Sequence, residues 1–335
     1  MSNMQMTASE RFRAVIDRRP VDRLPVIEWA PWWHLTKERW LSEGIVCADK
    51  DVLTLQRHFG LDGCVQTYMG MKTAATPKPA YHGAGIMQTE ADYEALLPTL
   101  YPDPTTLLSD ETVEQLKKLR EAGDTVLFFT VDGFFWYPRT LFGIEPHLYS
   151  FYDEPELLSR ICEDQLNWLK RAFEYVGNRF TFDFMTFQED MSYNLGPMIG
   201  KDTFDEFLAP YYNVIIPQIK SCGMPVIVDS DGDITKAVDW YASVGADGML
   251  PLERQAGVDV ALYIEKQPSM TFIGHFDKMC MKFGETAMRE EFERLLPSIR
   301  TGHLIPSVDH QTPPDVSSEN YQTYVKLLKA YAEMV

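Results

Sequence analysis

The chain has 335 residues, of which 45% are hydrophobic, enough to bury the core of one large domain. Its 49 acidic and 31 basic side chains give a net charge of −18 at pH 7, which argues against nucleic acid and anionic membrane surfaces as partners. The sequence has no apolar run of transmembrane length and no secretory segment, and its 5 cysteines form no paired motif, so we expect a cytoplasmic protein.

Short apolar runs alternate with amphipathic segments along the chain, beginning with a helix that a capping box opens at Thr7 and Glu10. The runs predict eight buried strands, at residues 26–29, 61–66, 125–131, 182–187, 225–228, 247–250, 271–275 and 302–307. Helices are predicted between them at 51–59, 112–122, 153–175, 201–219, 234–244, 258–265, 285–299 and, at the end, 317–334. Such alternation predicts a parallel sheet, and the chain lacks a glycine-rich phosphate-binding motif. We therefore predict an α/β fold, a (β/α)8 TIM barrel in a single domain spanning residues 1–335.

Residues 67–103, after the second predicted strand, mix glycine, proline, methionine and tyrosine without sustained periodicity. A segment of this length is long for a simple connection between a strand and a helix. We predict that it is an insertion that lies over the active site as a lid.

The fifth predicted strand ends in an unusual run of acids, Asp229-Ser230-Asp231-Gly232-Asp233. Asp229 and Asp231 are two residues apart, so in extended backbone both carboxylates point the same way. They repel each other unless a cation or a shared proton lies between them. The alternative is a polar turn in which Asp233 caps the next helix.

Polar residues follow the apolar core of nearly every predicted strand. In a barrel, all C-terminal strand ends open on the face that carries the active site. We predict a divalent metal site made by Asp229, Asp231 and His310, and catalytic roles for Asp132, Glu189, Asp190 and His275. The alternative for both histidines is a hydrogen-bonded structural role, and Glu253 and Asp277 are alternatively partners of Arg254 and Lys278. The strand-end residues are Glu28, Gln66, Asp132, Glu189, Asp190, Asp229, Asp231, Glu253, His275, Asp277, Asp309 and His310.

Aromatic residues gather after the first and third predicted strands. They predict a substrate-binding wall that suits an uncharged or cationic ligand, because quaternary ammonium groups bind in aromatic cages. The alternative is a packed plug over one end of the core. The substrate-binding residues predicted are Trp29, Trp32, Trp33, Trp136, Tyr137, Tyr193 and the acid Glu253, with Phe135 beside them.

Several segments taken together carry a family resemblance: 11–14 with 20–26, 189–191 with 196–199, and 302–305 with 309–310 and 313–316. They resemble the uroporphyrinogen decarboxylase superfamily, which includes cobalamin-dependent methyltransferases. The resemblance covers nearly the whole chain. It implies a (β/α)8 barrel that binds its substrate at the C-terminal face.

The chain departs from both branches of that superfamily. The decarboxylases resemble one another in an arginine-rich segment after the first strand, where this chain has Trp29-Ala30-Pro31-Trp32-Trp33-His34. The methyltransferases carry a zinc motif, His-x-Cys after the fifth strand and a cysteine near the last. By position those ligands resemble Asp229, Asp231 and His310 here, which implies zinc or a harder cation.

Three functions follow as hypotheses. The first is a metal-assisted methyltransferase or demethylase that acts on a small methylated substrate and works with a corrinoid carried by a partner protein. The second is a decarboxylase of uroporphyrinogen or another small acid, with Asp132, Tyr137 and His310 orienting the acid. The third is a non-catalytic ligand-binding homologue. We also expect the protein to form a homodimer.

Overall fold

The structure is a computed structural model that describes residues 6–30 and 32–335, so the predicted domain includes residues outside the described part. The strands in chain order are β1 (Gly63–Tyr68), β2 (Thr125–Asp132), β3 (Phe184–Gln188), β4 (Ser192–Tyr193), β5 (Gly196–Pro197), β6 (Val226–Asp229), β7 (Gly248–Leu250), β8 (Thr271–Phe276) and β9 (Leu304–Val308). Seven of them form one parallel sheet in the order β1-β2-β3-β6-β7-β8-β9, while β4 and β5 form a small antiparallel hairpin. The predicted α/β class and parallel sheet are confirmed.

Helices connect the strands, and their ends follow the predicted capping signals. Thr7 makes the capping box with Glu10, and Ser317 caps the last helix. Pro210 marks the break between two helices that the sequence predicted as one segmented helix. The helices are α1 (Ala8–Ile16), α2 (His34–Ser42), α3 (Val52–Phe59), α4 (Glu90–Leu96), α5 (Asp110–Ala122), α6 (Trp136–Phe142), α7 (Ile144–Asp153), α8 (Pro155–Arg179), α9 (Lys201–Phe207), α10 (Ala209–Ser221), α11 (Ala237–Ser243), α12 (Val260–Lys266), α13 (Glu285–Ile299) and α14 (Ser318–Ala332). Among the described residues, no helix is long and apolar enough to cross a membrane.

The predicted first strand, residues 26–29, does not form as a strand, so the sheet is a curled half-barrel of seven strands instead of the predicted closed eight-stranded barrel. At one sheet edge, Val26 donates its N–H to the Asp62 carboxylate, and its carbonyl accepts one backbone hydrogen bond, from the Asp62 N–H at 2.8 Å. At the other edge, the Glu28 carboxylate accepts the N–H of Val308 in β9. Because carboxylates accept these N–H groups, no ladder of backbone hydrogen bonds joins β9 to β1 through residues 26–29, a gap called the seam below.

The register of the central strands sets the level at which the polar residues emerge. Asp132 pairs with Gln188, Gln188 pairs with Asp229, and Asp229 pairs with Leu250. These residues end their strands at one height, and in a parallel sheet the loops that follow them lie on one face. The residues before them are buried, because both faces of a parallel sheet are covered.

The segment predicted as a lid, residues 67–103, begins within β1 and is attached to the helices beside the strand ends. Tyr93 of α4 donates a hydrogen bond to Asp164 of α8, at 2.9 Å. The backbone of Gly85 packs so closely on Phe142 of α6 that an added Cβ would lie 2.1 Å from the Phe142 carbonyl oxygen. The role of this segment as a lid stays a prediction.

Candidate active site at the strand ends

The acidic loop after β6 is held in place by the β4–β5 hairpin. Gly232 has φ +79°, and a Cβ built on it would lie 2.7 Å from the Cα of Tyr193. Only glycine fits this close approach in a left-handed conformation without strain. The Asp233 N–H donates to the Tyr193 carbonyl at 2.9 Å, and its carboxylate accepts the N–H of Thr235. Asp233 thus forms a turn, but the prediction that it caps the next helix is wrong, because that helix begins at Ala237 with Lys236 as its N-cap.

Five ligand-type side chains converge around this loop in two overlapping groups. One ligand atom each from Asp231, Glu253 and His310 lie within 4.8 Å of one another, and the same holds for Asp190, Asp229 and Asp231. His310 Nε2 lies 3.6 Å from Asp231 Oδ2. The predicted metal trio is therefore divided between two groups that share Asp231, with Glu253 completing the group that contains His310.

The cluster has an excess of negative charge. Burial, followed by the charges of Asp190 and Glu253, raises the pKa of Asp231 to about 8. Burial, with Asp190 and Asp231 next, raises the pKa of Asp229 well above its ordinary value. Lys278 provides partial compensation, with its Nζ 3.7 Å from Glu253 and 3.2 Å from Asp309. A divalent cation or retained protons would relieve the remaining repulsion.

Asp190 enters the cluster through an unusual backbone conformation. Its φ is +37°, in the left-handed region that non-glycine residues rarely adopt. This turn directs its carboxylate toward the N–H of Asp231, at 3.3 Å, while its carbonyl oxygen accepts a hydrogen bond from Arg139 Nη1 at 2.9 Å. Burial raises the pKa of Asp190.

Its neighbour Glu189, also predicted as catalytic, is fully buried away from solvent. Its carboxylate accepts the N–H groups of Phe135 and Trp136, both at 2.9 Å, and the hydroxyl of Tyr212. Burial raises the pKa of Glu189 to about 7. The structure places Glu189 as a brace for the loop between β2 and α6.

His275, the other predicted catalytic residue on this side, is also fully buried. Its Nδ1 lies 2.9 Å from the Leu252 carbonyl, and its Nε2 accepts the N–H of Val260. Burial lowers the pKa of His275 to about 4. These contacts match the alternative prediction of a hydrogen-bonded structural histidine.

Two further strand-end acids have structural partners. Asp309 is buried and accepts the N–H groups of Arg254 and Lys278. Asp277 accepts the N–H of Met279 at 2.9 Å and a hydrogen bond from Gln255. Both side chains organise the loops after β7 and β8.

Asp132 forms a separate polar pair at the end of β2. It is buried, and it accepts a hydrogen bond from the hydroxyl of Tyr68 at the end of β1. Burial raises the pKa of Asp132, and the charge of Lys72 opposes that shift. Lys72 itself donates to the Thr140 hydroxyl at 2.6 Å. Tyr68 and Lys72 were not predicted as site residues. Tyr68 ends β1 and Lys72 follows it, and the sequence does not show that they lie beside Asp132 and Thr140.

The predicted aromatic wall is only partly present. Trp29 is partly exposed and meets the His310 ring edge-on, with the centroids 6.3 Å apart. Trp136 is partly exposed beneath Arg139, and Trp33 and Tyr193 are exposed. Two predicted members are instead in the core. Trp32 packs against Trp40 and Tyr321, and Tyr137 is fully buried. Phe135 is buried as well.

Comparisons with known proteins bear on the family and the fold. A model of the uroporphyrinogen decarboxylase (URO-D) family matches residues 187–331. A solved methyltransferase from Methanosarcina mazei shares 14% identity with a TM-score of 0.61, covering 97% of this chain and 99% of its own. A putative vitamin-B12-independent methionine synthase from Listeria monocytogenes shares 11% identity with a TM-score of 0.48, covering 93% and 97%. No curated protein sequence matches the chain significantly.

The family match begins in the last two residues of β3 and includes the acidic loop after β6, β9 and the loop that carries His310. The likeness to the Methanosarcina protein extends the shared fold over nearly the whole chain. Both findings agree with the resemblance seen in the sequence segments. Residues 187–331 of the chain are therefore similar to the URO-D family.

Proposed function

We propose that Asp231, Glu253 and His310 bind one divalent cation, and that the protein is a metal-assisted methyltransferase or demethylase that exchanges a methyl group with a corrinoid protein. The observation that carries this proposal is the convergence of the three ligand atoms within 4.8 Å at the strand ends. Their side chains are partly exposed, so a small molecule can reach them.

The geometry of the three residues fits such an ion. Two ligands about 2.1 Å from a tetrahedral metal lie about 3.4 Å apart, and His310 Nε2 lies 3.6 Å from Asp231 Oδ2. Two carboxylates and one imidazole suit zinc or a harder cation and leave positions open for substrate. The crowding of Asp190 and Asp229 beside them favours a cation further, because it would offset their repulsion.

In this proposal the ion supplies Lewis acidity toward an oxygen or nitrogen of the substrate. Asp190 would lie beside the reacting group, and burial raises its pKa, which favours proton exchange there over a permanently ionised carboxylate. Trp29 fixes the ring of His310 from one side and offers an apolar surface to the methylated group. The structural likeness to a methyltransferase supports this reading at the level of the fold.

A second candidate is decarboxylation of a small acid, which the URO-D family match favours. Here Asp132, held by Tyr68, and His310 would orient the acid. Tyr137 drops out of this version, because its side chain is fully buried.

Metal titration by calorimetry tests the site. The wild type should bind one equivalent of Zn²⁺ or Mn²⁺, and Asp231→Asn and His310→Ala should each weaken binding at least about tenfold, since even outer-shell changes cost that much. Asp233→Asn is the matched control, because that residue lies in the same loop and only forms its turn. Equal stoichiometry and affinity in all four proteins would rule the metal site out.

The activity itself is tested by methylation of free cob(I)alamin from a panel of methylamines and aryl methyl ethers, followed by absorbance. The wild type should methylate it with at least one donor, and Asp231→Asn should not. Release of CO2 from uroporphyrinogen without methyl transfer would favour the second candidate. Absence of both reactions with intact ligand binding would favour a non-catalytic homologue.

A further inference from the structure

In the described part of the chain, the cationic side chains near the strand ends include Lys72, Lys278, Arg254 and Arg139. Arg254 has no ion pair there, and its Nη1 donates to the Val258 carbonyl at 2.8 Å. Lys278 contacts the carboxylates of Asp309 and Glu253. Lys72 donates to Thr140, and the charge of Asp132 acts on it. Arg139 has no ion pair: among the described residues, no carboxylate oxygen lies within 4.0 Å of its guanidinium, and only the charge of Asp190 acts on it from further away.

The donors of Arg139 are largely unused. Nη1 donates to the Asp190 carbonyl at 2.9 Å, while Nε and Nη2 donate to no acceptor in the described part of the chain. The side chain is only partly exposed, so water cannot surround it as it surrounds a surface arginine. An arginine in this situation retains a strong capacity to bind an anion.

The nearest acid is turned away from Arg139 by the backbone. The left-handed conformation of Asp190 presents its carbonyl oxygen to the guanidinium and sends its carboxylate toward Asp231. A regular backbone would not separate the two groups in this way. Conformations of this kind concentrate at functional sites, where the surrounding structure maintains them.

The orientation of the guanidinium is set by Trp136. Its central carbon lies 4.6 Å from the centroid of that ring, so one face of the guanidinium is covered. The N–H edge that carries Nε and Nη2 remains open for two parallel hydrogen bonds, the geometry that matches a carboxylate. Arginine stacked on an aromatic ring is pre-organised for this contact.

We propose that Arg139 binds a carboxylate group of the substrate, next to the acidic cluster. This deepens the proposed function and rests on it for the position of the reacting group. The substrate is then a small methylated compound with one carboxylate, which differs from the uncharged or cationic ligand that the aromatic residues of the sequence predicted. The carboxylate contacts Arg139, while the methylated end reaches toward Asp190 and Asp231. A cation in the cluster offsets the repulsion between the substrate and the surrounding acids.

The test compares two probes of nearly equal shape, 4-methoxybenzoate and 4-methoxybenzamide, by titration calorimetry. Acetate and benzoate extend the series. The full chain is measured as purified without chelator and again after chelator treatment. We expect the wild type to bind the benzoate about 10- to 100-fold more tightly than the amide in at least one form, the range that a charge-assisted bidentate contact gives.

Arg139→Gln should remove that preference, and Arg139→Lys should retain part of it. Arg57→Gln is the control. Arg57, on α3, is exposed and already forms a bidentate pair with Asp124, so its loss should not change the preference for benzoate. If Arg139 only supported Asp190, Arg139→Gln would lower the melting temperature and leave the preference for benzoate unchanged, which would overturn the proposal. Equal binding of benzoate and amide, or no carboxylate binding in either form, would overturn it as well.

The two proposals fail separately. Loss of the preference in Arg139→Gln without metal binding by the wild type would support the carboxylate contact and contradict the metal site. Metal binding with a preference that Arg139→Gln retains would do the reverse.

Discussion

Glu28 provides the sharpest test of how residues 26–29 are held against the edge of the sheet at β9. Its carboxylate is fully buried between β9 and α14, where it accepts hydrogen bonds from Ser307, Val308 and Tyr321 at 2.7, 3.3 and 2.9 Å. Burial raises its pKa from 4.5 to about 7. We predict that this one side chain makes the protein less stable as the pH rises, and that Glu28→Gln removes the effect.

The sign follows from proton binding. Between pH 4.5 and 7 the folded state retains the proton of Glu28 while the unfolded state has released it, so the free energy of unfolding falls as the pH rises. At about 1.36 kcal/mol per pKa unit, the loss from this group is about 3 kcal/mol and is complete above pH 7. Glutamine has no such proton to release. It also fits the site, since its oxygen can accept from Ser307 and Val308 while its amide donates to the Tyr321 oxygen.

The assay is urea unfolding at several pH values from 4.5 to 8. The difference between Glu28→Gln and wild type should grow in favour of the variant by about 3 kcal/mol across this range. Other buried acids add their own pH dependence to both proteins equally, so the difference isolates Glu28. Glu38→Gln, at an exposed position of α2, should run parallel to wild type. If the free energy of unfolding of Glu28→Gln also ran parallel to that of wild type over this pH range, water would reach the seam and the argument would be wrong.

Two further predictions concern the support of the site. Gly232→Ala should destabilise the protein by about 1–3 kcal/mol and weaken metal binding, because the new Cβ would meet Tyr193 at 2.7 Å in a left-handed backbone; Gly200→Ala, where nothing lies within 4 Å, should be nearly neutral in the same thermal scans. His147→Phe should raise the melting temperature, since His147 is fully buried among Phe135, Phe142 and Phe151, and its two ring nitrogens have no hydrogen-bond partner in the described part of the chain. Removal of unsatisfied buried groups is worth about 1–3 kcal/mol, and a variant no more stable than wild type would contradict this reasoning.

Much of the fold followed from the sequence pattern. The second to eighth predicted strands match β1, β2, β3, β6, β7, β8 and β9 with ends that shift by at most two residues. The prediction of a strand at residues 26–29 was wrong because an apolar pattern indicates only burial. A strand also requires backbone partners, and here the carboxylates of Asp62 and Glu28 accept N–H groups that a strand pair would use. Helix α2 was missed, since few apolar positions of its sequence face the core.

The candidate site was predictable in composition but not in detail. The strand-end rule located Asp190, Asp231, Glu253 and His310 on one face. It could not decide between Glu189 and Asp190, because a left-handed φ at one residue determines which carboxylate faces the cluster. It also could not separate Trp32 from Trp29, since the two lie three residues apart at the end of the same predicted strand and only tertiary packing buries Trp32.

Elemental analysis of the protein purified without chelator tests the central claim most directly. Wild type and Asp231→Asn are prepared side by side, with Asp233→Asn as the control from the same loop. We predict about one equivalent of zinc or a harder divalent metal in the wild type and in Asp233→Asn, and markedly less in Asp231→Asn. Equal metal content in all three proteins, or none in the wild type even after incubation with these ions, would contradict a metal site at Asp231, Glu253 and His310.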